Sequence, residues 1–171
     1  MSKLVEMGRA PRILLVEDCD GDAMLFRRTL MRACPDAELR IAHTAESGLV
    51  LLQQASSTGS DPLPDLIVTD LNLPGMGGVE LIRALKSDHR VRRIPCLVLS
   101  SSSDIHDIEA AYDAFASGYL TKPDSIEDYA VMIARLSAYW FTLMQIPPTS
   151  AGPRRMAAVD TGFQHSSANL S

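Results

Sequence analysis

Short apolar runs recur along the chain at Ile13-Leu14-Leu15-Val16, Leu66-Ile67-Val68-Thr69, Cys96-Leu97-Val98-Leu99 and Gly118-Tyr119-Leu120-Thr121. Their lack of strict alternation suits strands covered on both faces, as in a parallel sheet. Leu39-Arg40-Ile41-Ala42 supplies one more strand. Between the runs, apolar residues return at helical spacing. Ala23, Leu25, Phe26, Leu30 and Met31 make a stripe after Asp20, and Leu49, Val50 and Leu52 follow Thr44-Ala45-Glu46, a start that can cap a helix. Val79, Leu81, Ile82 and Leu85 predict a third helix after Pro74-Gly75-Met76-Gly77-Gly78, whose glycines permit backbone angles that other residues resist. Ile105, Ile108, Ala111, Tyr112 and Phe115 predict a fourth, opened by Ser103 or Asp104. A fifth runs from Ser125 to Met144 with Ile126, Tyr129, Ala130, Ile133 and Leu136 on one face. Strand and helix thus alternate five times, which predicts a doubly wound α/β domain with a parallel sheet.

Polar signals stand just after four of the strands: Glu17-Asp18, Asp70, Ser100-Ser101 and Lys122-Pro123. The carboxyl ends of parallel strands meet along one sheet edge, so these distant residues are expected to form one pocket. Three neighbouring acids repel one another unless a cation sits among them, so Glu17, Asp18 and Asp70 imply a hard, oxygen-seeking metal. Magnesium fits best, since one or two carboxylates with waters and phosphate oxygens commonly hold it. If an acyl phosphate forms on Asp70, the metal, the Lys122 ammonium and the Ser100 hydroxyl can each serve one of its oxygens. An aspartate nucleophile, a metal and a cationic clamp make a phosphoryl-transfer site.

Composition narrows the setting. With 171 residues and 46% hydrophobic content, the chain can bury one good core, so one domain is expected. A net charge of −5 and the lack of a Lys/Arg run argue against direct nucleic-acid binding. Cys19, Cys34 and Cys96 have no metal-site spacing and read as ordinary thiols of a reducing compartment. The first residues lack the apolar core of a signal peptide, and no stretch reaches the length of a membrane span, so a cytoplasmic protein without membrane contact is expected. Residues 56–64 read as a loop, and the chain beyond Pro147-Pro148 as a disordered tail.

The motifs Val-Glu-Asp at 16–18, Asp70-Leu-Asn-Leu-Pro-Gly-Met-Gly-Gly to 78, Leu-Ser-Ser at 99–101 and Gly-Tyr-Leu-Thr-Lys-Pro at 118–123 resemble those of response regulator receiver domains of two-component systems. The resemblance runs from about Arg12 to Met144, and implies a five-stranded flavodoxin-like sheet of order 2-1-3-4-5 with five helices. It implies an N-terminal extension over 1–11, the receiver over 12–146 and the tail over 147–171. By the same resemblance, Asp70 is the phospho-acceptor, Asp18 a direct magnesium ligand, and Glu17 a ligand acting mainly through metal-bound water. The Asn72 carbonyl completes the coordination, Lys122 holds a phosphoryl oxygen, the bond before Pro123 is cis, and Ser100 and Tyr119 form a switch pair. Glu at 17 and Ser at 100 stand where many relatives carry Asp and Thr. The loop before Asp65, Asp70-Leu-Asn-Leu-Pro, and Tyr139-Trp140-Phe141 followed by Ile146-Pro147-Pro148 further resemble small stand-alone receivers that partner bacterial phytochrome histidine kinases.

Plainer roles compete. Asp70 could cap the next helix, Lys122 could be a solvated lysine, Tyr119 could be a packing residue, and later members of the Ser100–Ser103 run could cap the fourth helix. Asp18-Cys19-Asp20-Gly21-Asp22 fails as a calcium loop, because its glycine comes too early and Thr29 stands where a glutamate is required. As an Asp-x-Asp phosphatase motif it would use Asp18 as nucleophile and Asp20 as acid/base, leaving Asp70 without a duty. The expectation is therefore a receiver without an output domain, acting by protein contact or phosphorelay, with only self-phosphorylation and autodephosphorylation as enzymatic activity. A homodimer around the last strand and fifth helix is expected, with Trp140 or Phe141 near its centre, because aromatics are favoured at interface cores.

Overall fold

A computed structural model describes residues 9–58 and 62–145. Its order is β1 (Arg12–Val16), α1 (Asp20–Ala33), β2 (Glu38–Ala42), α2 (Ala45–Thr58), β3 (Leu66–Thr69), α3 (Gly78–Ser87), β4 (Cys96–Ser100), α4 (Ile105–Asp113), β5 (Gly118–Thr121) and α5 (Ile126–Ala138). The five strands form one sheet in the order β2-β1-β3-β4-β5. Every pairing is parallel, as expected when a helix crosses over between successive strands. The tail beyond Pro147 lies outside the described residues.

Alternate strand residues point to opposite faces, and each face meets its own helices. Leu14, Val16, Ile67, Cys96 and Val98 pack against Leu52 and Ala55 of α2, Leu81, Ile82 and Leu85 of α3, and Ala111 of α4. Ile13, Leu15, Leu66, Val68, Leu97 and Leu99 pack against Ala23, Phe26 and Leu30 of α1 and Tyr129 and Ile133 of α5. The interior strands β1, β3 and β4 are therefore buried on both faces, which explains their unbroken apolar runs. The Cys96 thiol is buried, and desolvation pushes its pKa up to about 12.

The helix starts follow local chemistry. Thr44 Oγ1 accepts the Ser47 N–H at 3.1 Å while Ser47 Oγ accepts the Thr44 N–H at 3.2 Å. Asp104, not Ser103, caps α4 by accepting the His106 N–H at 2.9 Å, and Ser125 caps α5 by accepting the Asp128 N–H at 3.0 Å. Two expectations need correction. The apolar face read for α4 is buried only at Ala111 and half-buried at Ile108, leaving Ile105, Tyr112 and Phe115 exposed, while the small Ala111 and Ala114 join the core. The fifth helix stops at Ala138 and widens into a π-helical turn, Tyr139–Leu143, closed by the Met144 N–H to the Tyr139 carbonyl.

That turn also corrects the expected interface centre. Trp140 and Phe141 are only 8% and 2% exposed, seated in the core beneath α1 and α5. They lie seven and eight residues beyond Ile133, on the continuation of its buried face, and an apolar helical stripe is wide enough for both. The outward residues of the segment are Tyr139 and Leu143.

At the amino end of the sheet, Asp65 is fully buried and ion-paired with Arg9, whose Nη1 donates to Oδ2 at 3.1 Å and whose Nη2 donates to Oδ1; the Arg12 N–H adds a third bond at 3.0 Å. Arg9→Ala would strand a buried carboxylate with backbone donors alone. Its expected cost is about 2 kcal/mol in urea unfolding, below the range for a wholly uncompensated charge because the Arg12 N–H remains. An unchanged unfolding midpoint would show that the pair does not anchor the domain.

Candidate functional site

The carboxyl ends of β1, β3, β4 and β5 converge on one edge, and each delivers a polar residue to it. Glu17 follows β1 directly and is nearly buried; Asp70 follows β3 and is also buried; Lys122 follows β5. The chain is tied here by main-chain bonds: Glu17 N–H to the Ala42 carbonyl, Asp70 N–H to the Val16 carbonyl and Lys122 N–H to the Ser100 carbonyl, at 2.9, 3.0 and 2.7 Å.

Asp70 is held by its own loop. Its Oδ1 accepts the Leu71 N–H at 2.6 Å and the Asn72 N–H at 3.4 Å, while Oδ2 faces the Lys122 ammonium at 3.2 Å. The following loop folds back so closely that a Cβ on Gly78 would lie 2.2 Å from the Asp70 carbonyl oxygen. Among the described glycines, Gly75 alone uses a left-handed backbone, at φ +74°. Glu46 Oε1 pins this loop from α2 by accepting the Met76 N–H at 3.0 Å.

Glu17, Asp18 and Asp70 each offer a carboxylate oxygen, and these atoms lie within 4.8 Å of one another. Asp18 is exposed and the other two are buried, so the cluster opens to solvent on one side. Burial raises the Glu17 pKa above its ordinary value, opposed by the hydrogen bond and charge of Lys122. For Lys122, burial alone would favour loss of the proton. Hydrogen bonds to Asp22 and Glu17, with the charges of Glu17 and Asp70, outweigh it and hold the ammonium above its ordinary pKa. All-oxygen donors of this charge fit a divalent ion such as magnesium.

The structure brings together Glu17, Asp18, Asp70 and Lys122 as expected. Ser100 ends β4 at the same edge, fully buried, with its Oγ accepting the Ser102 N–H at 3.3 Å. Ser102 instead serves α4, donating to Asp107 Oδ2 at 2.6 Å and accepting the Asp104 N–H at 3.2 Å. Tyr119 is half-buried, its ring against the α2–α4 core and its hydroxyl donating to the Ser102 carbonyl at 2.9 Å. No peptide bond among the described residues is cis, so the bond before Pro123 is trans, the isomer X–Pro bonds intrinsically prefer. The Asp-x-Asp alternative loses its geometry. The Asp20 carboxylate is 92% exposed and faces His43 at 3.7 Å, away from the buried acids. Asp22, the last residue of that segment and given no role in the sequence reading, brings its carboxylate to the site instead, where Oδ2 accepts from Lys122 Nζ at 2.6 Å.

Asp18→Asn is expected to weaken magnesium binding about tenfold or more by removing an anionic ligand. Lys122→Ala should tighten it, because the ammonium competes for Glu17 and Asp70. Calorimetric titration distinguishes the two; equal weakening in both variants would contradict these roles.

Residues 13–134 match the profile of the response regulator receiver domain. Response regulator Rcp1 of Synechocystis is 33% identical over 135 residues, covering 79% of this chain and 92% of that protein. The Mn(2+)-bound crystal structure of Rcp1 superposes with a TM-score of 0.72 at 33% identity, over 80% of this chain and 99% of that one. The phosphorylated cyanobacterial phytochrome response regulator RcpA superposes with a TM-score of 0.75 at 30% identity, over 81% and 99%.

Proposed function

Because this chain belongs to the response regulator receiver domain family, we propose that it is a response regulator that takes a phosphoryl group onto Asp70 from a phytochrome-class histidine kinase. Receiver domains are phosphorylated on aspartate and bind magnesium at an acidic pocket, and the phosphatase alternative is not favoured. The observation that carries the assignment to Asp70 is its place as a buried carboxylate 3.2 Å from a lysine ammonium and within 4.8 Å of two further acids.

In the transfer, the bond between phosphorus and the kinase histidine nitrogen breaks and a bond to an Asp70 carboxylate oxygen forms. Lys122 neutralises one phosphoryl oxygen, and the Ser100 hydroxyl, released from Ser102, donates to another. Glu17, Asp18, Asp70 and the Asn72 carbonyl would hold the magnesium, which supplies charge neutralisation when bound. Ser100 and Tyr119 act as the switch: the Tyr119 hydroxyl is already tied to the loop that Ser100 would shift.

The phytochrome assignment is supported by the likeness to RcpA, a phytochrome response regulator. Phosphotransfer from the autophosphorylated phytochrome kinases of the same organism should label the wild type and not Asp70→Asn, faster than any other histidine kinase of that organism. Equal or slower labelling by phytochromes would overturn the partner. Output is by protein contact or phosphorelay, and the cytoplasm, where receiver domains typically act, is the location. Among the described residues no helix is long and apolar enough to cross a membrane.

A homodimer is proposed through the groove of about 540 Å³ beside β5, lined by Tyr112, Tyr119, Leu120, Val131 and Tyr139. Sedimentation should show a dimer at micromolar concentration that Tyr139→Asp dissociates. A wild-type monomer with and without phosphorylation would exclude it.

A further inference from the structure

The Lys122 ammonium has three N–H donors, and three carboxylates surround it: Asp22 Oδ2 at 2.6 Å, Glu17 Oε2 at 2.8 Å and Asp70 Oδ2 at 3.2 Å. The shortest bond goes to the acid with no part in the chemistry assigned above. Asp22 sits in the first turn of α1, where an acid ordinarily reaches back to the N–H of the capping residue. That residue is Cys19, and its N–H already goes to Glu17 Oε1 at 3.1 Å. The Asp22 carboxylate is thereby left to the lysine, and among the described residues its side chain makes no other hydrogen bond.

The three partners differ in freedom. Side-chain exposure is 42% for Asp22 against 4% for Glu17 and 10% for Asp70. Glu17 and Asp70 belong to the metal cluster, so a cation bound there withdraws them from the lysine. Asp22 does not, and keeps its hold. A phosphoryl group on Asp70 must then compete with a carboxylate outside the metal cluster for the same ammonium.

We propose that Asp22 is a positioning residue that holds Lys122 in the resting state and competes with an Asp70-bound phosphoryl group for it, lowering the stability of the phosphorylated form. The proposal rests on Asp70 as acceptor and Lys122 as phosphoryl clamp. Its signature is coupling to Lys122: Asp22 should matter only while the ammonium is present, whereas a general charge effect on an anionic ligand would persist without it.

Two measurements on the full chain test this. The first is the affinity for beryllium trifluoride, a phosphoryl mimic, in saturating magnesium. Asp22→Asn should tighten it about two- to fivefold, the scale of a half-exposed ion pair, Asp22→Glu should restore the wild-type value, and Asp22→Asn should have no effect in a Lys122→Ala background. Unchanged or weaker affinity, or an equal gain in the Lys122→Ala background, would overturn the proposal. The second needs no phosphoryl chemistry: the Lys122 ¹⁵Nζ signal of the metal-free protein should shift and exchange faster in Asp22→Asn, and stay put in Asp20→Asn. A signal unmoved by Asp22→Asn would refute the contact itself. Failure of the wild type to bind the mimic would refute Asp70 as acceptor, and the lysine signal would then decide the Asp22 contact alone.

Discussion

Gly78→Ala is expected to destabilise the protein by about 3 kcal/mol or more and to abolish magnesium-dependent phosphoryl uptake. The added methyl would lie 2.2 Å from the Asp70 carbonyl oxygen and 2.8 Å from the Leu71 Cα, both backbone atoms that cannot rotate away. Relief requires moving either the start of α3 or the segment that aims Asp70. Overpacking of a filled core costs about 1–3 kcal/mol when side chains can adjust, and a backbone clash is at the top of that range or above it. The Gly78 N–H to the Leu71 carbonyl bond, 2.9 Å, would break with the shift. Urea unfolding and acyl phosphate labelling check the two halves. A variant of native stability with normal labelling would show that the loop tolerates the displacement and that its geometry does not set the site.

Lys122→Ala should weaken, without abolishing, the hold on phosphoryl groups at Asp70 and, without divalent metal, should lose about 3 kcal/mol near neutral pH, because Glu17 and Asp70 are left buried without their shared cation. The pH dependence has a definite sign. Glu17 already has a folded pKa above its ordinary value, and loss of the lysine raises it further. A raised acid favours the fold while protonated, so its contribution is present below the unfolded pKa and is lost as pH rises through the folded one. The variant should therefore recover stability in mild acid, and also on adding magnesium. A loss independent of both would mean that Lys122 supports the fold by packing alone.

The strands, their order of use and the acids at their ends were readable because β1, β3 and β4 are buried on both faces and leave pure apolar runs interrupted only where the chain reaches the site. The remaining features depend on partners far away in sequence. Asp22 looks like an ordinary first-turn acid until the fold places Lys122 beside it, a hundred residues later. Trp140 and Phe141 suggest an exposed aromatic cluster when counted with their neighbours, yet both continue the buried face of α5. The reverse holds around α4, where Ile105, Tyr112 and Phe115 share helical spacing with the buried Ala111 but are exposed. Of the glycines before α3, Gly75 is the one with a left-handed backbone; Gly78 is required by contact with Asp70, a distance that no local pattern encodes.

Asp70 is the proposed acceptor of the phosphoryl group. Its most direct test is to incubate the protein with magnesium and a small phosphodonor, trap the acyl phosphate by reductive cleavage with labelled borohydride, and map the label by mass spectrometry. A single labelled residue is expected, Asp70, with no label in Asp70→Asn or when magnesium is chelated. Label on Asp18 that survives Asp70→Asn would contradict it.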